Sequence, residues 1–185
     1  DLVHVRSRVP AWIALPAAAA LGIATVSTVH GRFIALSALK RIYNRKLLKT
    51  DHVIAISNHV KDLITRQYVD VEKRLTVVHR GVDIDLFNPD NVNQTRIVNF
   101  VEGIAIPEDV PVIMLPARAT KWKGHQILLQ ALAKIKDRPF ICLMIGAGDG
   151  KPAFVSELVR LGQQLGLEGR FRLTPLVDDM PAALM

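Results

Sequence analysis

Phe140-Ile141-Cys142-Leu143-Met144-Ile145 is a run of six apolar residues, and Gly146-Ala147-Gly148-Asp149-Gly150 follows it without a gap. A short, continuous apolar run reads as a strand buried on both faces. The glycines after it mark a tight turn from strand to helix. The pattern repeats on either side. Residues 112–117 form a second strand candidate, joined to the first by a helical pattern over 124–136. A helix over 152–165 leads on to a strand at 171–174. Strands separated by helices of ten or more residues are parallel, with the helices as crossovers.

The N-terminal half has the same rhythm. Strands are expected at 2–5, 23–28, 52–56 and 75–79, and helices at 10–21, 34–49 and 58–68, with Ser57 capping the last. Two further helices are expected at 91–102 and from 179 onward. The fold class is α/β, with doubly wound parallel sheets covered on both faces. The rhythm breaks between 84 and 110, where Asn88, Pro89, Asp90, Asn91, Asn93 and Gln94 cluster, followed by Pro107, Glu108 and Asp109. Two incomplete domains are therefore expected, residues 1–100 with the connector and residues 101–185.

The 185 residues carry 24 Lys and Arg against 17 Asp and Glu, a net charge of +7. Half are apolar, which excludes a disordered chain. The single cysteine, Cys142, excludes a disulfide scaffold and a cysteine-based zinc cage, and suits a reducing compartment. The six histidines show no metal-ligand spacing, and no serine nucleophile elbow occurs. Residue 1 is Asp, and the chain enters an apolar run at once, so it reads as an internal fragment.

Residues 9–29 hold no charge, and Arg6 and Arg8 precede them. Pro16, Gly22 and the alanine-rich composition favour a buried helix and strand over a signal peptide or membrane span. Residues 2–50 hold eight basic residues and no acidic one. Within the expected 34–49 helix, Arg41, Arg45 and Lys49 are spaced to share one face. That face reads as solvated, with anionic lipid head groups as the functional alternative. Nucleic acid has no supporting motif.

In a doubly wound sheet, ligands bind beyond the carboxyl ends of the strands. His30-Gly31 follows the strand at 23–28, where an imidazole could donate to a sugar hydroxyl or a phosphate. Arg80-Gly81-Val82-Asp83 follows the strand at 75–79 and reads as an ordinary loop. Arg118, Lys121 and Lys123 follow the strand at 112–117 and directly precede a helix. Such a cluster, beside free helix N–H groups, suits a diphosphate. The Gly146–Gly150 turn is not a complete phosphate-loop motif.

Taken together these segments resemble the retaining family-4 glycosyltransferases of the GT-B fold, and more narrowly those of bacterial lipopolysaccharide type. The carriers, in order, are Leu2-Val3-His4-Val5-Arg6-Ser7-Arg8 with Pro10-Ala11-Trp12, Thr28-Val29-His30-Gly31 and Asp51-His52-Val53-Ile54-Ala55-Ile56-Ser57. Then come Val77-Val78-His79-Arg80-Gly81-Val82-Asp83 with Phe87-Asn88-Pro89, Arg118 with Lys123-Gly124, the 166–173 segment, and Asp179-Met180-Pro181. The resemblance implies two Rossmann-like domains, both incomplete here, binding a nucleotide-diphosphate sugar in the cleft between them. Arg118 and Lys123 would hold the diphosphate without a metal or other cofactor, and His30 would contact the transferred sugar. Gly146 and Gly148 would approach the donor, and Val177 and Asp179 would lie by the base. The acceptor would be lipid-linked or an oligosaccharide, with Arg41, Arg45 and Lys49 toward an anionic membrane. That places the enzyme in the cytoplasm, peripheral at the inner face of the cytoplasmic membrane. Ala117 and Pro175 stand where the family often has glycine. The family's glycine-rich loop would precede residue 1 and its glutamate pair would follow residue 185, so the fragment is expected to be inactive. The alternatives are a non-catalytic nucleotide- or anion-binding module and a basic membrane-binding domain.

Overall fold

The computed structural model describes residues 1–31 and 33–185. By internal contacts the chain divides into Asp1–Val82 and Asp83–Met185. Each unit contains one sheet, and every strand pairing is parallel.

The first unit runs β1 (Leu2–Val5), α1 (Arg8–Ala20), β2 (Ala24–Val29), α2 (Ala38–Arg45), β3 (His52–Ala55), α3 (Asn58–Thr65) and β4 (Leu75–Val77), with strand order β1-β2-β3-β4. Pro16 lies inside α1 without ending it, and Gly22, at φ 64°, turns the chain toward β2. α2 starts later than expected from its pattern. Ser37 accepts a bond from the Lys40 N–H and caps it there, and a 3-10 turn over Lys46–Leu48 finishes the helical stretch. That turn buries Leu47 and Leu48.

One face of this sheet is the core. Val5, Val29, Val53, Ala55 and Leu75 pack with Ala11 and Leu15 of α1 and Val60 and Ile64 of α3. The other face is open: Leu2, His4, Ala24, His52 and Thr76 are exposed, and Val26 and Ile54 are half-buried. Within these residues helices cover the first face only. Side chains alternate between faces, and His4, His52 and Thr76 fall on the second one. On that side, the His4 and Thr28 side chains bond at 2.8 Å and those of His52 and Thr76 at 2.9 Å.

The second unit runs α4 (Gln94–Ile104), β5 (Val112–Met114), α5 (His125–Ala133), β6 (Ile141–Ile145), α6 (Pro152–Gln164), β7 (Phe171–Thr174) and α7 (Met180–Ala183), with strand order β5-β6-β7. All five residues of β6 are buried. Cys142 and Met144 pack with Leu129 and Leu132 of α5 and Phe154 and Leu158 of α6. Ile141, Leu143 and Ile145 pack with Phe100 and Ile104 of α4 and with Met180 and Ala183 of α7. Each such side chain contributes about 1.5–3 kcal/mol by leaving water. The expected division at residue 100 falls inside α4, whose apolar side packs on β6. Residues 83–100 therefore go with the second unit.

Among the described residues no helix is long and apolar enough to cross a membrane.

Candidate functional site

In the second unit the carboxyl ends of all three strands meet. The chain after β5 stays in the sheet's bonding pattern, with the Ala117 N–H donating to the Ile145 carbonyl at 2.8 Å. After β6, the Gly146 N–H donates to Pro175 at 3.0 Å and the Gly148 N–H to Thr174 at 2.8 Å. Asp149 then accepts from the Leu176 N–H at 2.7 Å. The Gly146–Gly150 turn is thereby fixed between the segments that leave β5 and β7. A Cβ on Gly150 would come 2.6 Å from the Ala119 Cβ, too close to be accommodated without a shift, and one on Gly148 would come 3.0 Å from the Thr174 carbonyl carbon, a tight approach. Gly146, at φ 77°, lies against the backbone of Ala117 and Arg118.

Arg118, Lys121 and Lys123 all expose their side chains at this end of the sheet. Lys123 Nζ sits 4.2 Å from the centroid of the exposed Trp122 ring. Gly124 takes the left-handed conformation, at φ 83°, and opens α5, which has no side-chain cap and no acidic residue in its first turn. The first residue of α5, His125, is fully buried, and its Nε2 pairs with the Ala117 carbonyl at 3.1 Å. This bond ties the helix start to the strand end. The arrangement places cations and helix N–H groups together, which suits an anion.

The other two donor-side residues have structural partners. Val177 packs with the β6 cluster. Asp179 receives both Arg96 Nε, at 2.8 Å, and Arg96 Nη2, at 2.7 Å, and also accepts from the Ala182 N–H to cap α7. The Arg96 guanidinium, with the cap bond, holds its carboxyl down to about 2. Its side chain joins α7 to α4.

In the first unit, His30 stands at the end of β2. Arg6 Nε donates to its Nε2 at 3.3 Å, and its Nδ1 is buried without a partner. Burial lowers its pKa, and the charges of Arg6 and Arg80 add to the shift, so the ring is neutral. A cavity of about 400 Å³ opens here, lined by Arg6, Arg8, His30, Phe33 and Tyr43 among others. Sequence reasoning passed over Arg6 and Arg8. The signal was the one that singled out Arg118 and Lys123, namely cations between a strand end and a helix start.

Arg41 and Arg45 do not form the free basic face expected of them. Arg41 donates to the Gln67 carbonyl and lies over the Tyr68 ring at 5.8 Å, and Arg45 pairs with Asp70 at 2.7 Å. Their partners lie more than twenty residues away in sequence, out of reach of a helical-face argument. Lys49 is exposed. Cys142 is buried, which pushes its thiol up to about 11 and leaves it unreactive. Among the described residues no group of three or more His, Cys, Asp or Glu could hold a metal ion.

Parallel strands joined by helices, with a glycine turn and cations at their carboxyl ends, form an α/β architecture that matches GT-B glycosyltransferase structures. Residues 1–86 match the family model described as Glycosyltransferase Family 4, the family named from the sequence. The structure superposes on a glycosyltransferase from Rickettsia africae with a TM-score of 0.85 and 34% identity, covering 99% of this chain and 48% of that one. It also matches HepE of Anabaena in complex with UDP-glucose, with a TM-score of 0.81 and 21% identity over 100% of this chain and 50% of that one. A curated relative, the D-inositol 3-phosphate glycosyltransferase of Xylanimonas cellulosilytica, is 29% identical over 130 residues, which are 70% of this chain and 31% of the relative. The chain thus spans about half the length of the solved structures and about a third of that relative.

Proposed function

We propose that the chain is part of a glycosyltransferase that moves a sugar from a nucleotide-diphosphate donor to a lipid-linked or oligosaccharide acceptor. Transfer proceeds with retention, in the biosynthesis of lipopolysaccharide or a related envelope glycan. The observation that carries the donor half of this reading is the convergence of Arg118, Lys123 and the Gly146–Gly150 turn at the strand ends of the second unit. The complex of HepE with UDP-glucose supports the donor class. Arg118 and Lys123 grip the diphosphate and stabilise the charge that develops on the leaving group. Two cations supply that charge themselves, so the reading needs no metal or other cofactor. Gly146 and Gly148 let the backbone approach the donor. The base meets the backbone around Val177, since the Asp179 carboxylate is occupied by Arg96. His30 stands on the acceptor side beside the transferred sugar. These 185 residues alone are inactive or nearly so, because no pair of glutamates separated by seven residues occurs among them.

Titration with UDP-glucose tests the donor site. Replacing Arg118 or Lys123 with Ala removes charge-assisted hydrogen bonds, each worth about 1.5–3 kcal/mol, so each variant binds roughly tenfold more weakly or worse. Unchanged affinity in both would remove the diphosphate assignment. Binding of UDP with no gain from the sugar would favour a non-catalytic nucleotide-binding module.

One observation favours peripheral attachment to an anionic membrane on the cytoplasmic side, through residues other than those expected. Trp12 and Ile13 of α1 and Leu39 and Ile42 of α2 are exposed. Lys46 Nζ lies 5.4 Å from the Trp12 ring centroid, and Lys40 Nζ lies 5.1 Å from that of Tyr43. Exposed apolar residues interleaved with lysines suit an anionic bilayer surface. Flotation with anionic vesicles that survives charge reversal at Lys40 and Lys46 would exclude this surface.

A further inference from the structure

We propose that His125 is a positioning residue for the anion site of the second unit: through the Ala117 carbonyl it sets Arg118, and it holds the first turn of α5 beside it. That the anion is a donor diphosphate rests on the transferase reading above, whereas the positioning rests on the bond itself.

The bond completes what the sheet leaves open. Along the exit of β5, the Leu115 N–H donates to the Leu143 carbonyl and the Ala117 N–H to that of Ile145, both at 2.8 Å. In a parallel ladder the next donor would be the Ala147 N–H. Gly146, at φ 77°, turns the chain, and the Ala147 N–H goes back to the Met144 carbonyl at 3.2 Å. The ladder therefore has no donor for the Ala117 carbonyl. The His125 ring takes that place at 3.1 Å. A carbonyl only accepts, so Nε2 carries the proton.

Packing does not account for a histidine here. The ring is fully buried, and its Nδ1 has no partner. An apolar side chain would fill the same space without a buried, unpaired nitrogen. What it would not supply is a donor.

The bond acts on the site in two directions. The peptide group is planar, so fixing the Ala117 carbonyl also fixes the Arg118 N–H and the Cα from which the Arg118 side chain leaves. On the helix side, His125 is the first residue of α5, whose opening N–H groups have neither a side-chain cap nor an acidic neighbour in the first turn. The bond thus joins, eight residues apart, the two supports between which Arg118, Lys121 and Lys123 are exposed. An anion that spans both supports is bound well only when their separation is set in advance.

The test uses the full 185-residue chain and two probes, inorganic pyrophosphate, which needs neither base nor sugar, and UDP-glucose. His125→Gln keeps a donor at about the reach of Nε2, His125→Asn carries one too short to reach, and His125→Leu has none. Asn and Leu are expected to weaken pyrophosphate binding roughly 3- to 10-fold, the range of one hydrogen bond, and Gln to restore it to within about twofold of wild type. Thermal unfolding of the same variants is expected to rank them differently, with Leu more stable than Asn although both bind equally weakly. Affinity that follows stability instead, or that is the same in Gln, Asn and Leu, overturns the positioning role. Should Asn not fold, Leu against Gln decides in the same way. Arg118→Ala that leaves pyrophosphate binding unchanged while the His125 variants lose it also overturns the role, and absence of binding by the wild type removes the anion site and the role together. UDP-glucose that binds no tighter than pyrophosphate, with the His125 pattern intact, would sink the donor reading and leave the positioning standing.

Discussion

β6 in the second unit is buried along all five residues, whereas β1 and β3 in the first unit bury alternate residues. Both sheets are parallel and joined by helices, so topology alone does not explain the difference. What differs is the second layer. Around β6, α5 and α6 cover one face, and α4 and α7 cover the other. In the first unit one face has helices and the other carries His4, His52 and Thr76 in the open. A parallel strand packed between two layers is apolar along its whole length, as β6 is.

The largest expected effect lies at the doubly covered strand. Leu143→Ala removes a side chain with no exposure from the α4 and α7 side of β6 and should cost about 2–5 kcal/mol. Hydrogen exchange of the second unit's amides measures it, and a loss below about 1 kcal/mol would mean that this layer is not closed. A smaller, pH-dependent effect is expected at the clip that closes the layer. The Asp179 carboxyl is held at about 2 against an ordinary 3.8. Because its folded value is depressed, its contribution is full above the ordinary value and is lost as pH falls through about 2. Protection of α7 should decline across that window in the wild type, and the decline should disappear in Asp179→Asn. The smallest effect is expected on the open face. His52→Ala breaks a bond to Thr76 between exposed side chains and should change stability by no more than about 0.5 kcal/mol. A loss near 2 kcal/mol would show that this face is closed in solution.

All seven strands were legible, β6 as a continuous apolar run and the others as short stretches rich in apolar and β-branched residues between helical patterns. The helix over 34–49 was legible as a helix, but its start was not, since the Ser37 cap outweighs the apolar residues before it. The open face was readable in His4, His52 and Thr76, but the apolar residues between them dominated the pattern. Of the candidate site, the strand-end positions of His30, Arg118 and the glycine turn follow from the rhythm of strands and helices. The pairing of Arg41, Arg45 and Asp179 does not, because each depends on a partner brought in by tertiary packing.

The bond between Arg96 and Asp179 spans 83 residues. α4 is synthesised well before α7, which carries its clip. At ribosomal rates of about 5–20 residues per second, roughly 4–17 s separate the two ends of this contact. During that interval the nascent chain presents α4 without the helix that finally braces it. The second layer of the β6 sheet therefore cannot close until α7 has been made.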